Sequence, residues 1–142
     1  MMTPKEIRKI PGLGRSFGIY DRGLILDRMF KKVSEEEARE VHDKIWDHLT
    51  RMGLGRESYT PYIRDCENIS LSVSVRFSEE MYRRYAKTDP VSRLFNTVLG
   101  NWRGSGHAWS MAQTPTGLLH FNYGSVFTAS DANCKLEGGI FI

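Results

Sequence analysis

Two cysteines in 142 residues, Cys66 and Cys134, are too few for a disulfide framework. That sets aside the small stapled domains. A single bridge between the two stays open, and a reduced, cytoplasmic setting is the simpler expectation. No apolar run approaches the roughly 18 residues needed to span a bilayer, so no membrane role is expected. The start, "MMTPKEIRKIPGLG", has basic residues without an apolar segment behind them, and no secretory signal is read there. Internal repeats, low-complexity tracts and a domain linker are also missing. What remains is an ordinary globular composition, 40% hydrophobic and 26% charged, in a chain long enough for one domain with its own core.

The net charge of +3 is unevenly placed. Residues 1–33 carry eight Lys or Arg against three acids, a balance of +5, which leaves −2 for the rest. This basic N-terminal arm, 1–33, is set apart from a single domain over 34–142. Such an arm suits docking onto an acidic protein surface in an assembly. Nucleic acid is not the expected partner, because aromatic interleaving is sparse and no nucleic-acid fold signature accompanies the charge. The glycines of "IPGLGRSFG" do not have the spacing of a dinucleotide fingerprint.

Ser34 followed by Glu37 is a capping box, and Ala38, Val41, Ile45, Leu49 and Met52 recur on one helical face. Gly53 and Gly55 then stop the pattern, giving a helix over 34–52. His42 and His48 lie about 240° apart around it, so they are read as surface or partly packed residues rather than joint metal ligands. "ISLSVSVRF" alternates perfectly over 69–77 and locally predicts a strand. The same residues also satisfy helical spacing, and "SEEMYRRYAK" beyond them forms helix well. Beyond Pro90, apolar segments separated by "RGSG" and "TPTG" predict hairpin strands, with a turn at 114–117.

Three residues carry the candidate chemistry. Cys66, in "YIRDCENIS", opens an element, where helix N–H groups would favour a thiolate and hold an oxyanion. His107 follows a glycine turn in "GHAW", and Asn122 lies in "LLHFN" on the next strand, within reach across a hairpin. Thiol, imidazole and amide in this order make a Cys–His–Asn nucleophile set. His120, two residues before Asn122, is the second choice for orienting His107. Asp65 and Glu67 beside the cysteine work against a thiolate. Cys134, with no histidine near it in sequence, is read as non-catalytic. Cys66, His107 and His120 have the right types for zinc but no paired ligand spacing, so no metal or other cofactor is expected.

"DCEN" followed 41 positions later by "GHAW" and then by "LLHFN" resembles the papain-like and transglutaminase-like cysteine hydrolase core. It is closest to the small branch of phage proteins and a fungal agglutinin protease domain. Tyr59, Pro61, Asp65, Cys66 and Glu67 stand in the order of that branch, as do Gly106, His107, Ala108 and Trp109. The likeness spans about 56–127; Asn68 departs from the acid common after the cysteine. It implies an α+β fold, with N-terminal helices packed on a small antiparallel sheet and a helix over 66–86. It further implies hydrolysis of a peptide or amide bond, with Cys66 as nucleophile, His107 as base and Asn122 as its orienting group. The Cys66 backbone N–H, with Tyr62 as a conceivable side-chain donor, would hold the oxyanion. The rival expectation is an inactive structural or assembly protein of the same fold, such as a phage virion component. Either could form a homo-oligomer.

Overall fold

The computed structural model describes residues 1–7, 9–11 and 29–140. The glycine-punctuated part of the basic arm, 12–28, lies outside the described residues. Ahead of it, a one-turn helix α1 (Pro4–Ile7) ends in the fully buried Ile7. A short strand β1 (Phe30–Lys31) follows and pairs in parallel with β2 (Ser92–Arg93).

Helix α2 (Glu35–Arg51) begins as the capping residues require: Ser34 Oγ accepts from the Glu37 N–H at 3.1 Å, with three glutamates in the first turn. Its apolar stripe, Ala38, Val41, Ile45 and Leu49, is buried. The stripe also includes His42, only 1% exposed, more deeply buried than the surface or partly packed histidine expected. The His42 ring centroid lies 4.3 Å from that of Phe121, with Trp46 stacked on its other side. Beyond the helix, Gly53 takes a left-handed φ of 72°, which any Cβ would oppose.

Residues 66–85 form helix α3 (Cys66–Tyr85), not a strand. Asn68 Oδ1 accepts from the Asp65 N–H at 3.1 Å and caps its start. Ile69, Val73, Phe77 and Met81, four residues apart, are buried, whereas Val75 of the alternating pattern is 44% exposed. Ser70 and Ser74 of the alternation also face inward. Ser74 Oγ and Thr97 Oγ1 share a hydrogen bond at 2.9 Å, so the buried hydroxyls are satisfied. Arg84 clamps α3 to α2 through Glu37 and Glu40, while Glu80 of its own helix also pairs with it.

Both helices cover one face of a five-stranded antiparallel sheet of order β6-β5-β4-β3-β7. Its strands are β3 (Phe95–Trp102), β4 (Ser105–Thr114), β5 (Gly117–Asn122), β6 (Ser125–Thr128) and β7 (Cys134–Ile140), with a short helix α4 (Ala129–Ala132) before the last. On the helical face Phe77 stacks on Phe95 at 4.0 Å, among Ala112, Leu119 and Phe121. Strand alternation sends Trp109, Met111, Val98 and Leu136 to the second face, where Ile7, Ile10 and Phe30 cover them. The expectation of a small sheet under N-terminal helices is therefore corrected. The sheet is the dominant layer, the two long helices lie mid-chain, and the described N-terminal residues contribute a single turn plus apolar cover for the second face.

Two hairpins bring the chemistry to one end of the sheet. β3 and β4 are joined by Arg103 and Gly104, with φ of 51° and 96°; β5 and β6 are joined by Tyr123 and Gly124, with φ of 47° and 85°. Two left-handed residues in a two-residue loop match the right-handed twist of the strands. Both turns, the start of β4 and the end of β5 thus meet at that end. The turn at 115–116 falls at the other end, as expected from "TPTG".

Candidate functional site

Cys66 is the first residue of α3, so its N–H has no acceptor within the helix. Its half-buried sulfur neighbours Ala108 on β4. Burial pushes the thiol pKa up, and the Ala108 main-chain N–H facing the sulfur opposes this only in part. The Glu67 carboxylate, which accepts from Sγ at 3.4 Å, and the charge of Asp65 raise it further. Burial first, with the flanking acids adding to it, keeps the resting group a neutral thiol. The side-chain contact between Asp65 and Glu67 raises the pKa of Asp65 and lowers that of Glu67.

His107 stands at the start of β4 and Asn122 at the end of β5. Their side chains meet: His107 Nε2 lies 2.8 Å from Asn122 Oδ1. A carboxamide oxygen only accepts, so Nε2 carries the proton and Nδ1 is left with a lone pair. The His107 ring is sandwiched by Trp109, at 6.2 Å and nearly parallel, and Tyr123, at 5.5 Å. The turn carrying Tyr123 packs closely on Trp46 of α2 because Gly124 has no side chain: a Cβ there would lie 2.2 Å from the indole nitrogen. Burial raises the Tyr123 phenol to about 12, so it stays protonated.

Among the described residues no hydrogen bond joins Cys66 to His107. Ala108 faces α3, whereas His107 and Trp109 point to the second face, so the thiol and the ring line different hollows at the strand end. On the helical side the cavity beside Cys66 holds about 10 Å³, too little for a ligand. On the imidazole side a cleft of about 410 Å³ opens, with His107, Asn122, Tyr123 and Trp102 among its walls.

His120, the alternative orienting residue, is turned elsewhere. Its Nδ1 accepts from Trp109 Nε1 at 2.9 Å, and burial lowers its pKa to about 4. Cys134 Sγ sits 3.9 Å from that Nδ1, so the cysteine read as remote from histidine has one beside it. Tyr62 is 98% exposed and contributes no donor to the site. Sequence reasoning missed Tyr123, Trp102, Arg56 and Arg103. The turn pairs "RG" and "YG", each just after a strand, are the local signal that two of these residues sit at the same sheet end.

No protein-family profile matches the chain, and no curated protein matches it. Solved structures do. The structure of a PSL1a–E64 complex aligns with 99% of this chain and 50% of its own, at a TM-score of 0.65 and 16% identity. A Polyporus squamosus lectin bound to the human-type influenza-binding epitope Neu5Acα2-6Galβ1-4GlcNAc aligns with 79% of this chain and 39% of its own, at 0.58 and 16%. The chain thus spans half or less of the proteins it resembles, and the likeness establishes a shared fold. These neighbours correct the family expectation. One of them is a lectin by name, so the papain-like or transglutaminase-like assignment, the peptide- or amide-bond hydrolase drawn from it and the phage virion alternative give way to a fold shared with part of that lectin chain. No helix among the described residues is long and apolar enough to cross a membrane.

Proposed function

We propose that the turn end of the sheet is a ligand-binding site built around a nucleophilic thiol. Cys66 is the nucleophile, His107 its base and Asn122 the group that orients the base. The carrying observation is the 2.8 Å His107–Asn122 hydrogen bond, which fixes the tautomer with its basic nitrogen free. The neutral thiol needs that base, since burial and the neighbouring acids keep it protonated. A ligand entering the 410 Å³ cleft reaches His107 first and would draw the ring toward the sulfur. The Cys66 N–H would then donate to an oxygen bearing negative charge.

E64, the compound complexed with PSL1a, is the natural first probe. One E64 equivalent per chain, seen by intact mass and mapped to Cys66, is the expected outcome, and Cys66→Ala abolishes it. An adduct on Cys134, or none while iodoacetamide labels both cysteines equally, refutes the reading.

A glycan is the second reading, favoured by the aromatic wall of Trp102 and Phe127 in the same cleft and by the ligand of the Polyporus lectin. Titrating the protein with that trisaccharide while following protein NMR shifts tests it. Shifts confined to the Trp102 and Phe127 neighbourhood support it; unchanged spectra remove it.

A further inference from the structure

The cleft beside His107 carries two cations that the thiol chemistry does not use. The Arg56 guanidinium lies 5.3 Å from the Tyr123 ring centroid, and that of Arg103 lies 5.0 Å from Phe127 and 5.7 Å from Trp102. Arg103 is seated by main-chain oxygens: Nε donates to Ala132 O and Nη2 to Asp131 O. Among the described residues neither arginine meets a carboxylate. Elsewhere Arg39, Arg84 and Arg93 are each paired with one. The nearby acids are engaged otherwise. Asp131 accepts from Thr128 Oγ1, Asp65 and Glu67 contact each other on the cysteine side, and the Glu57 carboxylate folds back near Gly55. Resting on an aromatic face, the Arg56 guanidinium keeps its N–H groups for an anion, and Arg103 keeps Nη1 once Nε and Nη2 are spent on the main chain.

We propose that this cleft is the subsite for a carboxylate group of the ligand, gripped between Arg56 and Arg103 while its flat or ring portion rests on Trp102 and Phe127. The proposal rests on the thiol-site reading for its orientation: a carboxylate held there places the rest of the ligand toward His107 and Cys66. The carboxylate could be that of a sugar acid or of an acidic amino acid, since both present the same planar anion to a guanidinium fork.

Two measurements test it. The first compares Cys66 alkylation by iodoacetate, which carries a carboxylate, with alkylation by neutral iodoacetamide. In both reactions an S–C bond forms, C–I breaks, iodide leaves and His107 takes the thiol proton. In the Arg56→Gln/Arg103→Gln double variant the iodoacetate rate should fall about tenfold at low salt, with the iodoacetamide rate nearly unchanged. Equal change in both rates, or none, overturns the subsite. A wild-type iodoacetamide rate equal to that of a free thiol instead sinks the thiol-site reading, and leaves the subsite to the second measurement.

That measurement uses Cys66→Ala protein, which no reagent can alkylate at this position. Its tryptophan emission is titrated with N-acetylneuraminic acid and, separately, with N-acetylglutamate. Saturable change that disappears in Trp102→Phe and weakens in the double arginine variant supports the subsite, and the stronger of the two compounds identifies the source of the carboxylate. No saturable change with either, or undiminished binding without both arginines, overturns it.

Discussion

Cys66 and Cys134 are both half-buried, and burial raises the pKa of each thiol, yet the two imidazoles at this end of the sheet are held in opposite ways. His107 spends its Nε2 proton on Asn122 and keeps Nδ1 open at the rim of a cleft. His120, one cross-strand step inward, has Nδ1 filled by the Trp109 N–H and is only 2% exposed. The same two residue types therefore leave a ring nitrogen open in one place and filled in the other. The difference comes from which nitrogen is occupied and whether water and ligand can reach the ring.

The largest way to break this contrast is Trp109→Ala. It removes a 1%-exposed side chain that both stacks on His107 and fills His120, and should cost about 3–5 kcal/mol in urea unfolding. An acid titration sharpens the contrast next. The folded pKa of His120 lies near 4, below its unfolded value, so the unfolded chain binds the proton more readily between about pH 6.5 and 4. Stability is fully present above that window and should fall by about 3 kcal/mol as pH drops through it. His42, lowered by burial despite Asp43 beside it, adds a fall of the same sign. His120→Gln should flatten the curve; an unchanged curve would mean that His120 is not held neutral.

Smaller effects are expected in the chemistry. His107→Ala should slow Cys66 alkylation about a hundredfold, and leave Cys134 unaffected. His120→Gln should leave the Cys66 rate alone. Asn122→Ala should slow it on the order of tenfold, since the base survives but its tautomer and orientation are no longer fixed.

How much of this the residues announced varies by element. Ser34, Glu37 and the apolar stripe of α2 were readable because capping and helical period are local. The stretch 69–77 was not, because its serines and aliphatics fit two periods at once. Packing chose the helix, setting the Ser70 carbonyl and the Ser74 hydroxyl against the sheet hydroxyls of Ser110 and Thr97, which no local rule reveals. The cross-strand closeness of His107 and Asn122 could be anticipated from the turn at 114–117, which sets the register between β4 and β5. The cations of the cleft could not, since Arg56 and Arg103 come from a 3-10 turn and a hairpin far apart in sequence. Family-level reasoning from "DCEN" and "GHAW" overreached: short motifs located a cluster, while the fold proved to be one shared with part of a lectin chain.

The central claim is that Asn122-held His107 makes Cys66 the reactive thiol. Site-resolved mass spectrometry of iodoacetamide labelling across pH 5 to 9 measures both cysteines in one sample. The account predicts Cys66 labelled at least about tenfold faster than Cys134 near pH 7, with the advantage erased by His107→Ala. Equal rates for the two thiols, or an advantage that survives removal of His107, would contradict it.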